Sequence, residues 1–242
     1  MSNKELLIRE SNMNYNKIII KSEFINRPNR FYANVKVNNE IIKVHVPNTG
    51  RCREILIPGC TVYLRKEDNP TRKTPFDLIA AIKDNKLISI DSQIPNKVVD
   101  EALKDKKIPE LVQYTNILRE KTFGKSRFDF KLSNAEGKEY FLEVKGVTLE
   151  ENGKTRFPDA PTERGTKHIL ELIEAKKLGY GAGVIFLIQL KEVKSFEANN
   201  ITDPKFAEAL KYAKESGVDI FAYNCNVGEE YIELNEKIKV IL

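Results

Sequence analysis

Asp129, Glu143 and Lys145 are the residues of this chain whose types and spacing could do chemistry together. They lie in RFDFKLSNAEGKEYFLEVK, residues 127–145, where two alternating arms flank a short polar link. In the first arm Phe128, Phe130 and Leu132 alternate with Arg127, Asp129 and Lys131. In the second, Tyr140, Leu142 and Val144 alternate with Phe141, Glu143 and Lys145. A period of two is the pattern of a half-buried strand, and Asn134 and Gly137 in the link suit a hairpin loop. Pairing Ser133 with Glu139 sets Asp129 opposite Glu143. Like charges directly opposed destabilise a strand pair, and a bound divalent cation would remove that penalty. Two carboxylates suit a hard cation such as Mg2+ or Mn2+, which takes oxygen ligands. Lys145 falls on the Glu143 face, where it can position or deprotonate a metal-bound water and neutralise charge on a phosphate. The chemistry this set would support is phosphodiester hydrolysis. The alternative for the same spacing is a solvated strand face of mixed charge.

Several elements must position this hairpin. Short apolar or alternating runs at residues 17–20, 31–37, 41–46, 61–64, 78–82 and 87–90, separated by Asn, Gly and Pro, predict five or six strands closing into a small barrel. Val98, Val99, Ala102 and Leu103 recur at helical spacing within residues 94–109, predicting an amphipathic linker helix with a domain boundary near Ser92. A second helix is expected after Pro109, with Leu111, Val112, Ile117 and Leu118 as its stripe, bringing Glu120 near the start of the hairpin. Thr162 is the expected cap of a helix carrying Ile169, Leu172 and Ile173 inward and ending at Gly179. A buried strand over residues 183–190 would complete a right-handed βαβ unit. Arg164, Lys167 and His168 share one face of that helix and could meet a phosphate at its N-terminus. Asp203 should cap a helix from Pro204, followed by a buried strand at residues 218–223 and an edge strand within residues 231–242. The fold class is α/β, of mixed α+β character, with a mixed central sheet.

The net charge of +5 is unevenly placed: residues 1–91 hold 16 Lys and Arg against 10 Asp and Glu, the remainder 24 against 25. A basic N-terminal half suits a module that tracks a phosphate backbone. Arg51 and Arg53 follow the Pro47-Asn48-Thr49-Gly50 turn and suit phosphate contact, whereas Asn48 and Thr49 read as turn chemistry and His45 as a packed, hydrogen-bonded residue. Cys52, Cys60 and Cys225 have no metal or disulfide spacing and read as reduced thiols. No signal peptide and no apolar run near 20 residues occurs, so a cytoplasmic location and no membrane partner are expected. No tryptophan is present to stack on a sugar ring, which argues against direct sugar handling.

The Asp followed by Glu-x-Lys resembles the PD-(D/E)XK nuclease superfamily, with Phe128 where a proline is usual. HVPNTGRCREILIPG (residues 45–59), SRFDF (126–130), EVKGVTL (143–149) and FPDAPTERGTKHILEL (157–172) resemble the sugar fermentation stimulation protein A (SfsA) family. The resemblance implies an N-terminal OB-like barrel, residues 1–91, followed by a nuclease-like domain, residues 92–242, that binds DNA. An OB-like face would contact nucleic acid through Arg27, Arg30, Phe31, Tyr32, Arg51 and Arg53, with Arg164 and Lys167 contributing from the second domain. A nuclease-like site would place Asp129 and Glu143 on Mg2+ or Mn2+, Lys145 on the water and Glu120 as a supporting acid. The implied activity is that of a magnesium-dependent deoxyribonuclease. The alternative is a non-catalytic DNA-binding regulator of sugar (maltose) metabolism genes.

Overall fold

The computed structural model describes residues 13–242. After the short β1 (Met13–Asn14) come β2 (Ile19–Asn29), β3 (Tyr32–Val37), β4 (Glu40–His45), β5 (Thr61–Lys66), β6 (Phe76–Lys83) and β7 (Lys86–Ser89). These last six form one sheet in the order β4-β3-β2-β5-β6-β7, and a bridge between His45 and Asp77 joins β4 to β6, so the sheet closes on itself. Its tight turns follow from residue type: Asn38-Asn39 and Asp84-Asn85 all adopt positive φ, which two-residue hairpins need and short polar side chains tolerate. Phe24, Val35, Val44, Val62, Leu64 and Leu78 fill the interior. Charge pins the closure. Asp77 accepts from His45 Nδ1 at 2.9 Å and Arg65 at 3.1 Å, and Arg65 also reaches Asp91 at 2.9 Å. His45 is therefore a packed, hydrogen-bonded residue, as expected.

The second half begins with α1 (Ile94–Lys104), which buries Val98, Val99, Ala102 and Leu103 against the main sheet; it is a packed element rather than a linker. A 3-10 turn, Pro109–Leu111, and β8 (Asn116–Phe123) replace the helix expected after Pro109. The apolar residues read as one helical stripe belong to two elements, and pairing with the next strand outweighs local helical spacing. The hairpin is β9 (Ser126–Ser133) and β10 (Glu139–Val147), its loop held by Asn134 Oδ1, which accepts from the N–H groups of Glu136 and Lys138.

β11 (Leu149–Glu151) and β12 (Lys154–Phe157) precede α2 (Glu163–Lys177), whose cap is Thr162, as expected. Then follow β13 (Gly181–Ile188), β14 (Ser195–Ala198), α3 (Pro204–Glu215) capped by Asp203, β15 (Asp219–Val227), β16 (Tyr231–Lys237) and β17 (Lys239–Ile241). The main sheet has the order β1-β16-β15-β13-β10-β9-β8, with β10, β13 and β15 parallel and the others antiparallel. Of the C-terminal segment, β16 is internal because β1 pairs outside it, and the edge strand is β17, residues 239–241, which closes a small sheet, β11-β12-β14-β17, that the sequence did not suggest. Among the described residues no helix is long and apolar enough to cross a membrane, and Cys52, Cys60 and Cys225 are free thiols. Two apolar cores flank the main sheet, and both include residues of the N-terminal sheet, so the halves pack against each other.

Candidate metal centre

The β9–β10 register is the expected one, with Ser133 on Glu139 and Leu142 on Phe130 as its last pair. The next step would oppose Asp129 to Glu143, and there the ladder ends. Asp129 Oδ2 accepts the Val144 N–H at 2.8 Å, taking a strand donor with a side chain. The side-chain alternation inverts at the same point. Phe128 packs in one core while Phe130 and Leu132 pack in the other, a correction to the single apolar face read from the sequence. On the neighbouring strand, the β8–β9 ladder skips Glu120, whose φ is 51°. Asn96 Nδ2, from the first turn of α1, donates to Asp129 Oδ1 at 2.7 Å. That approach depends on Gly146: a Cβ there would stand 2.8 Å from Pro95 and 2.6 Å from Gln189 Oε1.

Glu143 is almost wholly buried, its side chain 4% exposed. Its Oε1 accepts from Lys145 Nζ at 2.6 Å and from His168 Nδ1 at 2.5 Å. Its Oε2 is buried and has no hydrogen-bond partner among the described residues. Arg164 Nε donates to the far nitrogen of His168 at 3.5 Å, which assigns the ring proton to the nitrogen facing Glu143. Burial, and after it the charge of Glu143, push the Asp129 carboxyl up to about 6. Burial alone would raise Glu143 as well, but the His168 bond and the Lys145 charge outweigh it and hold that carboxyl below its ordinary value. The pair is thus split: one carboxylate is held ionised, the other carries its charge reluctantly.

Among the described residues no group of three or more His, Cys, Asp or Glu side chains is arranged to hold a metal ion. The donor set is two carboxylates. That suits Mg2+ or Mn2+, which use one or two protein carboxylates and fill their remaining positions with water and substrate oxygens. The orphaned Glu143 Oε2 is the lone pair such an ion would take, so the residues present fit the ion.

Glu120 is carried by the edge strand β8 rather than by the expected helix; the flanking pairs Arg119 on Phe130 and Lys121 on Phe128 set it across from Asp129, but its side chain is exposed and pairs with Arg127 at 3.3 Å. His168 lines one pocket with Arg164 and Lys167, as its helical spacing suggested, and its ring also touches Glu143, a contact that nothing local in the sequence revealed. Asn96 escaped sequence reading because a lone Asn in a helix carries no such signal.

On the N-terminal domain, Arg27, Arg30, Arg51 and Arg53 line a cleft of about 430 Å³. Arg27 is committed to structure, donating to the backbone carbonyls of Asn48, Gly50, Arg51 and Arg30 at 2.5–2.9 Å. It holds the 48–51 turn and leaves no terminal N–H for a phosphate, which corrects its expected role. Asn48 is turn chemistry, its Oδ1 accepting from Gly50 N–H at 2.7 Å. Arg30, Arg51 and Arg53 are exposed, Phe31 is 44% exposed, and Arg30 lies over its ring at 4.7 Å. Tyr32 is half-buried and covered by Lys43 at 4.1 Å.

Residues 25–90 match the SfsA N-terminal OB domain, and residues 93–231 match the sugar fermentation stimulation protein RE domain. A sugar fermentation stimulation protein homolog of Clostridium perfringens (strain 13) is 67% identical over 95% of this chain and all of its own length. A Clostridium tetani homolog of the same name is 66% identical over 93% of this chain and 98% of its own. The solved structure of Pyrococcus furiosus SfsA in complex with Ca2+ is 31% identical with a TM-score of 0.86, covering 95% of this chain and 100% of that one.

Proposed function

Since this chain belongs to the sugar fermentation stimulation protein family, we propose that it binds DNA and hydrolyses phosphodiester bonds with a divalent cation held by Asp129 and Glu143. The observation that carries the reading is Glu143 Oε2, a buried carboxylate oxygen without a partner beside a second carboxylate. A fold spends stability on such an arrangement when a ligand resolves it. The relative from Pyrococcus furiosus was solved with Ca2+, which like Mg2+ takes oxygen ligands. A cation bound between the carboxylates would polarise the phosphodiester and lower the pKa of an attacking water.

This chain's own residues supply the rest. Lys145, anchored on Glu143 Oε1, sets an ammonium beside the carboxylate pair, where it can orient the water and neutralise charge developing on the phosphate. His168 and Lys145 together saturate Oε1 and so leave Oε2 for the ion. Asn96 and the Val144 N–H fix both oxygens of Asp129 in orientation, so that little movement accompanies binding. Arg30, Arg51 and Arg53 contact phosphates, Phe31 offers an exposed ring on which a base can stack, and Arg27 braces the turn that presents them. Free thiols accord with the reducing cytoplasm, where we place the reaction.

Replacing Arg51 and Arg53 by Gln should weaken binding to all DNA sequences alike and reduce the slope of log affinity against log salt by about 0.7–0.9 for each phosphate no longer neutralised. Arg27→Gln should instead lower the melting temperature, because four carbonyls lose their donor. An unchanged salt slope in the double variant would remove those arginines from the interface. A DNA-binding regulator without hydrolysis would use the same cleft, but it gains nothing from buried carboxylates that repel phosphate. Incubation of the protein with single-stranded, duplex and branched DNA, with magnesium, manganese or chelator, separates the two.

A further inference from the structure

α2 is 15 residues long, and Thr162 Oγ1 satisfies only one of its first-turn donors, the Gly165 N–H at 3.0 Å. The start of such a helix carries partial positive charge and unpaired N–H groups. Lys125, Ser126 and Arg127, where β9 begins, join Arg164, Lys167 and His168 around it to line a pocket of about 390 Å³. Four cations thus face one carboxylate, that of Glu163, on the same pocket wall. Two are lightly engaged elsewhere. Arg127 pairs with Glu120 at 3.3 Å with both side chains more than half exposed, an ion pair worth little, and Lys167 donates to the Lys125 carbonyl at 2.8 Å with Glu171 at 3.8 Å. Among the described residues the Arg164 guanidinium meets only the His168 ring.

An independent observation points to a ligand. Ser126 is 5% exposed, and its hydroxyl has no hydrogen-bond partner among the described residues. A buried hydroxyl left unpaired is costly, and it calls for an acceptor. Phosphate supplies several acceptor oxygens and the negative charge that the guanidinium and ammonium groups lack. We propose that this pocket is a phosphate-binding site, taking a phosphate of the nucleic-acid strand whose neighbouring linkage lies at the carboxylate pair. Its place supports this, since His168 lines the pocket and also holds Glu143. The proposal rests on the DNA reading above but not on hydrolysis or on a bound cation. The ligand is either a terminal phosphate of a strand or an internal diester, which share this chemistry.

The test uses the full-length protein in chelator. Calorimetric titration with inorganic phosphate, against chloride of equal ionic strength, should give one site. Arg164→Gln and Ser126→Ala should each weaken it by about tenfold, and Glu163→Gln should tighten it. Fluorescence anisotropy with one oligonucleotide carrying a 5′-phosphate, a 3′-phosphate or neither then identifies the source. A terminal site prefers one phosphorylated end and loses that preference in Arg164→Gln; an internal site binds all three equally and loses affinity for all three in that variant. Absence of phosphate binding by the wild type, or unchanged binding in both weakening variants, overturns the site. Asp129→Asn should keep phosphate binding while losing any response to divalent ions, so failure of the pocket and failure of the metal reading are told apart.

Discussion

Glu143→Gln lowers the melting temperature of the metal-free protein and Asp129→Asn raises it, although each removes one carboxylate from the same pair. Glu143 is the counter-ion of Lys145 and the acceptor of the His168 proton, and its carboxyl is held below the usual carboxylate value. A carboxylate of depressed pKa contributes stability that is present above its unfolded value and is lost as the pH falls through the folded one, so at neutral pH the amide forfeits it all. Removing one partner of a buried pair costs about 3 kcal/mol, or about 6–12 °C for a chain of this length. Asp129 is the opposite case. Its raised pKa contributes stability that is complete below the ordinary carboxylate value and is gone once the pH exceeds about 6, where the group must ionise beside Glu143. The amide escapes that repulsion but can accept from only one of its two donors, Asn96 or the Val144 N–H, which leaves a net gain of about 1 kcal/mol above pH 6 that vanishes in acid. Thermal unfolding of both variants in chelator at pH 4 and pH 7.5 decides it. Shifts of the same sign at neutral pH would contradict the split assigned to the pair.

Magnesium or manganese raises the melting temperature of the wild type and leaves Asp129→Asn unmoved. A ligand present at a hundred times its dissociation constant stabilises by about 2.7 kcal/mol, which corresponds to about 5–10 °C. The ion must displace the proton of Asp129 where one is bound, so its affinity should fall as the pH drops below about 6. Lys145→Ala should retain the response, because an ammonium has no lone pair with which to ligate. Calorimetric titration across pH 5–8 measures this, and an affinity that does not change over that range would exclude Asp129 as a ligand.

Much of this was legible in the sequence because the elements around the centre follow local rules. The hairpin register came from alternation and loop length, and Thr162 and Asp203 cap the helices they were expected to cap. The misses share a cause. Residues 116–123 form a strand because β9 is beside them, and no periodicity in NILREKTF reports a neighbour. The three- and four-residue strands of the small sheet are too short to show a period at all. Side-chain assignments failed where a residue's partner is remote in sequence. Arg27 looked like a phosphate contact until the 48–51 carbonyls were found around it, and the distance from His168 to Glu143 spans 25 residues of chain. Residue type marked which groups could act; only the fold showed what each was facing.

The most direct measurement is hydrolysis of end-labelled DNA by the purified protein, with magnesium or manganese and with chelator, beside Asp129→Asn and Lys145→Ala. The account predicts cleavage by the wild type that requires the divalent ion, is lost in Asp129→Asn and falls by about a hundredfold or more in Lys145→Ala, while all three bind DNA comparably in chelator. Cleavage that persists in Asp129→Asn, or no cleavage of single-stranded, duplex or branched DNA by a wild type that binds them with divalent ions present, would contradict it.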